Sequence, residues 1–434
     1  MKQALIIGAD FTPSSYPSAL RLRFLVSHLR EFGWEPVVLT TDPRYYENAV
    51  DEESQKLLPA DLDITRTRAI PAALTRKFHF GDLGLRSLWH HWRAMNALIP
   101  QKKIDLVFIT VPPNYTMILG RLAHRRFGIP YVLDYQDPVV TAYYWKLPRS
   151  QRPPKYAVVY AVARWMEAFA VSKVAKLTAV SKGTVESVLE KNPWLDVTEI
   201  PLGVEPSDFE YLRQHPRTNP VFDPADGLLH VSCVGAINIA MLPSLRAVFQ
   251  ALLAGLERWP ELFRRLRMHF VGTTYAYKAE GQHQLLALSR EMKLDHCVDE
   301  RPERVPYLTA MQILLDSHVL VVVGSDLPHY TASKIFPYIV AARPLLVVFH
   351  EKSSVVTILN ETRAGEVVTF GDSRPVLAAV DEIAQHLRNL LALPPGSSPP
   401  TRWDVFERYT GRAMAKRLAS VFDKASDASS GQDG

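Results

Sequence analysis

A chain of 434 residues is longer than one hydrophobic core usually supports, so two domains are expected. With 22% charged and 47% hydrophobic residues it has the composition of an ordinary globular protein, and a net charge of +5 is too small an excess for a nucleic-acid reader; it suits an anionic substrate, a phosphate-bearing ligand or an anionic membrane surface. Cys233 and Cys297 are the only cysteines, which excludes a disulfide framework or a zinc centre and fits a reducing compartment.

In chain order, short apolar runs predict strands at residues 4–8, 36–41, 62–66, 105–110, 131–134 and 176–180. Helical patterns fill the intervals at 19–32, 85–98, 115–127, 156–171 and 182–191, with Gly33 and Gly128 placed as left-handed C-caps. The polar, proline-bearing stretch 202–227 lacks sustained periodicity and reads as the boundary between domains. A second series follows: strands at 229–235, 267–272, 318–323, 345–349 and 366–370, with helices at 243–257, 282–292, 306–316, 332–341 and 376–391. After a Pro/Gly/Ser linker at 394–400 comes one more amphipathic pattern at 403–422. Strand–helix alternation requires parallel sheets, because parallel strands need crossover connections. The fold class expected is α/β, with two Rossmann-like lobes facing across a cleft: 1–205, 206–400, a C-terminal helix at 401–424 packing back on the first lobe, and a disordered tail at 425–434.

Absent motifs narrow the chemistry. No GxGxxG follows a strand, and neither a GxxxxGK[ST] phosphate loop nor an HExxH pair occurs. Asp61, Leu62 and Asp63 form a DxD in a polar approach to a short strand, where a structural role is expected, so no metal is expected. The start MKQALIIGADFTP reads as a first strand and not a signal peptide, and no apolar run reaches the roughly 18 residues of a membrane span. A cytoplasmic protein is expected, touching a membrane at most from outside; on this reading the sequons at Asn114 and Asn360 have no meaning.

Three stretches carry a resemblance: FTPSSYPSALRLRFLVSHLREFGWEPVVLT, VSKGTVESVLEKNPWLDVTEIPLGVEPSDF and YTASKIFPYIVAARPLLVVFHEKSSVVTILNETRAGEVV. They resemble the opening helix, the exit from the first lobe and the donor segment of GT-B-fold glycosyltransferases of the family four type. The resemblance implies retaining transfer of a sugar from a nucleotide-sugar donor to a hydroxyl acceptor in glycan or polysaccharide assembly, with no cofactor. It also implies that backbone amides around Tyr330 to Ala332 and the Lys334 ammonium, with Thr331 and Ser333 beside them, hold the donor diphosphate. That role agrees with the need of two phosphates for a fixed cation. The family's paired glutamates would align with His329 and Pro337, so neither is present, and proline cannot bond a ribose hydroxyl.

Loop ends supply the remaining candidates. Gly235 and Ala236 end the first strand of the second lobe, where a small residue admits a phosphate, and Arg301 stands where relatives enclose the nucleobase. In the first lobe, Ser14 and Ser15 precede a helix N-terminus suited to anions, and Arg21 lies one turn inside it. Asp134 and Asp137, in a segment similar to the relatives' DxxDPW, are the carboxylates for orienting or deprotonating the acceptor, and His329 is a further candidate against the sugar.

Two basic, aromatic stretches, at 74–93 and 141–166, suit an interfacial segment and make a lipid-linked acceptor and peripheral membrane contact an expectation. Buried aromatic faces with solvated cations between them are the competing reading. The rival functions are a nucleotide-sugar epimerase on the same plan and a non-catalytic relative that binds nucleotide or glycan. The oligomeric state is not legible.

Overall fold

The computed structural model describes residues 1–47, 50–75, 81–140, 149, 152, 156–274, 283–326 and 333–430. The chain divides into two compact units: Met1–Leu202 together with Gly411–Gly434, and Gly203–Thr410.

The first unit is built on seven parallel strands: β1 (Lys2–Ile7), β2 (Trp34–Thr41), β3 (Asp63–Thr67), β4 (Leu106–Val111), β5 (Tyr131–Tyr135), β6 (Lys176–Ala179) and β7 (Val197–Glu199). Their order is β3-β2-β1-β4-β5-β6-β7, so the winding reverses between β1 and β4. In sheets of this kind, ligands bind outside the carboxyl ends of the strands at that reversal. The crossovers include α1 (Pro17–Val26), α2 (Leu83–Lys102), α3 (Ile118–Phe127), α4 (Tyr156–Val171) and α5 (Lys182–Lys191). Side chains from α2, α3, α4 and α5 form one core layer with the sheet. Helix α1 and the C-terminal helix, Gly411–Ser430, form the other.

Gly33 and Gly128 take the left-handed conformation expected of them, with φ of 87° and 72°. The helix expected over 19–32 stops at Val26, where Ser27 Oγ bonds back to the Arg23 carbonyl, and continues as a 3-10 turn. The tail requires a correction. Disorder was expected from residue 425, but the C-terminal helix runs to Ser430 and buries Ala425. That helix sets Phe422 against Trp34 and Phe108, with ring centroids 5.2 and 5.4 Å apart. Residues 403–409, expected to begin this helix, form separate short turns in the second unit.

The DxD carboxylates are engaged by cations of the protein itself: Asp61 pairs with Arg30 at 2.6 Å and Asp63 with Lys102 at 2.7 Å.

His91 of α2 is fully buried behind β2, 3.3 Å from Thr41 Oγ1, and burial lowers its pKa to about 4. Because its folded pKa lies below the unfolded one, its contribution to stability is complete above about 6.5 and is lost as pH falls through about 4. Over that window His91 alone is expected to remove on the order of 3 kcal/mol of stability from the first unit. Urea unfolding of the parent and of His91→Gln at pH 7.5 and 4.5 checks this, with the variant expected to show the shallower pH slope.

The second unit has six parallel strands: β8 (Leu229–Val234), β9 (Leu266–Val271), β10 (Val298–Arg301), β11 (Val319–Val323), β12 (Leu345–His350) and β13 (Glu366–Phe370). They are ordered β10-β9-β8-β11-β12-β13, so this sheet reverses between β8 and β11. Its helices are α6 (Pro206–Gln214), α7 (Leu242–Arg258), α8 (Gln284–Glu291), α9 (Tyr307–Asp316), α10 (Ile335–Ala341), α11 (Ser354–Thr362) and α12 (Val380–Leu391). Segment Ile239–Arg258 is long and apolar enough to cross a membrane, but half of it is buried in this unit's core, as a core helix would be.

The stretch 202–227 is more ordered than its composition implies. It contains α6, anchored by Tyr307 Oη donating to Asp208 at 2.7 Å. Further on, Phe222 stacks on His230 and His269, with centroids 4.1 and 4.8 Å away. The chain passes between units at Leu202–Gly203, ahead of this stretch.

Candidate functional sites in the two units

The first unit has a pocket of about 290 Å³ at the carboxyl ends of β1 and β4, the reversal point of its sheet. Asp10, Tyr16 and Ser18 line it from the loop after β1, Pro112 and Pro113 from the loop after β4, and Asp82 and Arg86 from the start of α2; Glu47 closes another side. Asp10 accepts hydrogen bonds from Ser14 Oγ at 2.7 Å and Ser18 Oγ at 3.2 Å, and burial raises its pKa. Asp82 caps α2 through the Leu85 N–H at 2.9 Å, and burial raises it too. The guanidinium of Arg86 donates to the carbonyls of Tyr45, Ile70 and Gly81 and to Glu47, so its charge is committed within the protein.

Several first-unit expectations change here. The loop with Ser14 and Ser15 was expected to present hydroxyls to an anion. Ser14 instead serves Asp10, Ser15 Oγ is buried without a hydrogen-bond partner, and the carboxylates lining the pocket disfavour an anion. Arg21 does not reach toward a ligand. Its Nε and Nη2 grip both oxygens of Asp134 at 2.8 and 2.9 Å, and Nη1 donates to the Pro201 carbonyl at 3.0 Å. Asp134, fully buried, also accepts from Thr178 Oγ1 at 2.6 Å, which leaves its carboxylate no free face for an acceptor. The pair ties α1 to β5 and β6. Asp137, just past β5, is exposed to solvent, although partial desolvation raises its carboxyl. Of the two aspartates in this segment it alone has an accessible carboxylate, but it does not line the pocket.

In the second unit, residues from the loops after β8 and β11 meet at that sheet's reversal point. Gly235 ends β8 with φ +117°, a conformation that disfavours any other residue, and a Cβ there would stand 3.3 Å from Lys334 Cδ. The side chain of Lys334 lies along this bare backbone, and its Nζ donates to the Ala236 carbonyl at 3.2 Å. Desolvation lowers the Lys334 amine, and no carboxylate among the described residues forms an ion pair with it. One turn further on, Tyr338 Oη donates to the Val234 carbonyl at 2.9 Å and accepts from the Val234 N–H, which fixes α10 over the end of β8. Nearby, Asn238 Oδ1 is buried with no hydrogen-bond partner, in a loop joined to the one after β11 by Asp326 N–H donating to Ala240.

Ser333 and Lys334 precede α10, which begins at Ile335 and not at 332 as its periodicity suggests. Ser333 contributes its carbonyl to the first turn. His329, Tyr330, Thr331 and Ala332 lie outside the described residues. Pro337 occupies the first turn of α10, where its missing N–H costs no helical bond and its ring offers no polar atom to a ligand. Arg301 has partners within the protein: its guanidinium donates to the Pro220 and Val221 carbonyls and to Asp299, so it fastens the 202–227 stretch while its side chain stays partly exposed.

The sequence reading missed Asp10, Tyr16, Glu47, Asp82 and Arg86. A signal existed for two of them: Asp10 follows the first strand, and Asp82 precedes a helical pattern as an N-cap residue should. Asn238 carried no signal, because an unpartnered oxygen is visible only in three dimensions.

Residues 18–203 match the model of the glycosyl transferase 4-like domain. That match falls almost wholly within the first unit. A sequence comparison with curated proteins finds no match. Among solved structures, the chain is similar to a Burkholderia xenovorans α,α-trehalose-phosphate synthase (UDP-forming) in complex with glucose-6-phosphate, at 12% identity and TM-score 0.62, covering 97% of this chain and 100% of that one. It is also similar to an E. coli trehalose-6-phosphate structure bound with UDP-2-fluoro glucose, at 13% identity and TM-score 0.56, with 98% of each chain covered. A third likeness is Anabaena HepE in complex with UDP-glucose, at 12% identity and TM-score 0.53, covering 99% and 100%. At these identities the likeness is one of fold. Each of the two units has the fold of a Rossmann-like half of the GT-B architecture.

Proposed function

We propose that the protein transfers a sugar from a nucleotide-sugar donor to a hydroxyl acceptor, with the second unit holding the donor diphosphate and the pocket of the first unit taking the acceptor. One observation carries the donor half: the Lys334 ammonium is desolvated beside a side-chain-free backbone at Gly235, with a single carbonyl as partner among the described residues. A half-buried, desolvated cation without an anion among the described residues is costly, and a diphosphate would supply both the charge and the acceptor oxygens it lacks. Asn238 Oδ1, unpartnered in the adjoining loop, would accept from a sugar or ribose hydroxyl.

In the reaction the acceptor oxygen bonds to the anomeric carbon as the bond from that carbon to the diphosphate oxygen breaks. Lys334 stabilises the charge that develops on the leaving diphosphate, and the acceptor's proton passes to a carboxylate or to the departing phosphate. Asp137 is the candidate carboxylate, being the accessible one of Asp134 and Asp137, although it stands outside the pocket's lining. Retention of anomeric configuration belongs to this reading through the family four resemblance. So does an acceptor used in polysaccharide assembly and carried on a lipid. A cytoplasmic setting fits the two free, buried cysteines.

Solved structures of the same fold hold UDP-glucose and UDP-2-fluoro glucose, so a UDP-sugar is the first donor to test. A thermal-shift screen against UDP-, GDP-, ADP- and TDP-sugars is expected to raise the melting temperature for one nucleotide class. Release of free nucleoside diphosphate on adding acceptor then marks transfer. Binding without such release under any acceptor would identify a nucleotide-binding module in place of an enzyme, and no shift with any donor would remove the assignment.

A further inference from the structure

The first unit also has an apolar surface that sugar transfer does not use. On α4, Val158, Val162 and Trp165 follow one another at spacings of four and three, which puts them on one helix face, with Val159 beside them. They are 64%, 42%, 66% and 60% exposed in that order, while Met166, Ala170 and Val171, nearer the end of the helix, are buried in the core. Isolated exposed apolar residues are ordinary, but a contiguous stripe of them is not.

Charge indicates the partner. Helix α4 packs against α3, which carries Arg121, Arg125 and Arg126 and no acid. The only acid on either helix is Glu167, which is buried and whose pKa burial raises. Arg164 of α4, also exposed, adds a further cation. Trp89 of α2, which belongs to the same core layer, is 68% exposed.

We propose that this face docks the protein on an anionic lipid bilayer, with the valines and Trp165 entering the headgroup boundary and the arginines lying among the lipid phosphates. Apolar insertion and basic charge each bind weakly alone and together give stable peripheral association. The proposal deepens the lipid-borne acceptor of the transferase reading, but its test uses no donor, so failure to dock and failure to bind a nucleotide sugar are separate results.

The test is flotation of the full chain with vesicles of phosphatidylcholine alone and of phosphatidylcholine mixed with phosphatidylglycerol. The parent is expected to float with the anionic vesicles only, and less so as salt rises. Val162→Ser/Trp165→Ser, both exposed and so compatible with folding, is expected to bind at least about tenfold more weakly. Arg125→Ser/Arg126→Ser/Arg164→Ser is expected to lose on the order of 100-fold and most of the salt dependence. A parent that stays with the soluble fraction overturns the proposal, as does flotation that neither variant changes. A dimer that Val162→Ser/Trp165→Ser converts to monomer, with flotation unaltered, overturns it in favour of contact between copies of this chain.

Discussion

Arg21→Met is expected to destabilise the first unit by about 3–5 kcal/mol, the usual consequence of leaving a buried carboxylate without its cation. Asp134 is fully buried between β4 and β6, and two of its three side-chain hydrogen bonds come from Arg21. Removal of the guanidinium leaves only the Thr178 hydroxyl for a charge that water does not reach, so the carboxyl must either stay ionised at high cost or take up a proton. The variant should therefore recover part of its stability as pH falls toward 5, where the parent does not. Arg21→Met/Asp134→Leu, which removes both charges, should lie within about 2 kcal/mol of the parent, because a buried pair replaced by apolar side chains is often nearly neutral. Chemical denaturation of the three proteins at pH 7 and 5 checks all of this. A loss below about 1 kcal/mol for Arg21→Met would show that the pair behaves as a solvated surface contact.

Lys334→Met is expected to weaken nucleotide-sugar binding on the order of 100-fold, because truncating one partner of a buried charge pair costs about 2–5 kcal/mol of binding energy. Stability of the unliganded protein should move the other way. The methionine fits along Gly235 without bringing a desolvated ammonium into the unit, so the unliganded variant should melt no lower than the parent. Titration calorimetry with the best donor, together with melting curves without it, separates the two effects. A variant that binds donor as well as the parent would place the diphosphate elsewhere. One that binds poorly only because it is unfolded would show a lowered melting temperature with no ligand present.

These two lysine and arginine positions also show where a sequence can and cannot be read. Both sheets, their parallel sense and the glycine caps at Gly33 and Gly128 follow from local apolar runs and local backbone preferences, which a single sequence records directly. Lys334 could be singled out because it belongs to a segment whose family pattern is contiguous; its place beside Gly235 comes from the structure. Arg21 was misread because its partner is 113 residues away: a cation at a helix start looks the same whether it faces a ligand or a buried aspartate. The structural partners of Arg301 were hidden for the same reason, its acceptor carbonyls lying 80 and 81 residues earlier in a stretch that composition had marked as the boundary between domains. The acidic pocket was invisible as a unit, because Asp10, Glu47 and Asp82 come from three separate connections and only the sheet order brings them together. Strands β7 and β10, at three and four residues, are too short to carry a periodic signal.

The last twenty residues described, Gly411–Ser430, complete the wall beneath β1 and β4. On the ribosome, then, Trp34 and Phe108 wait without Phe422 while all of Gly203–Thr410 is synthesised, and the nascent first unit presents an oily seam to any chaperone nearby. The second unit is contiguous and can close as soon as it emerges; the first reaches its final form only once Gly411–Ser430 has been made, so a stop codon ahead of that helix damages the half that was made first.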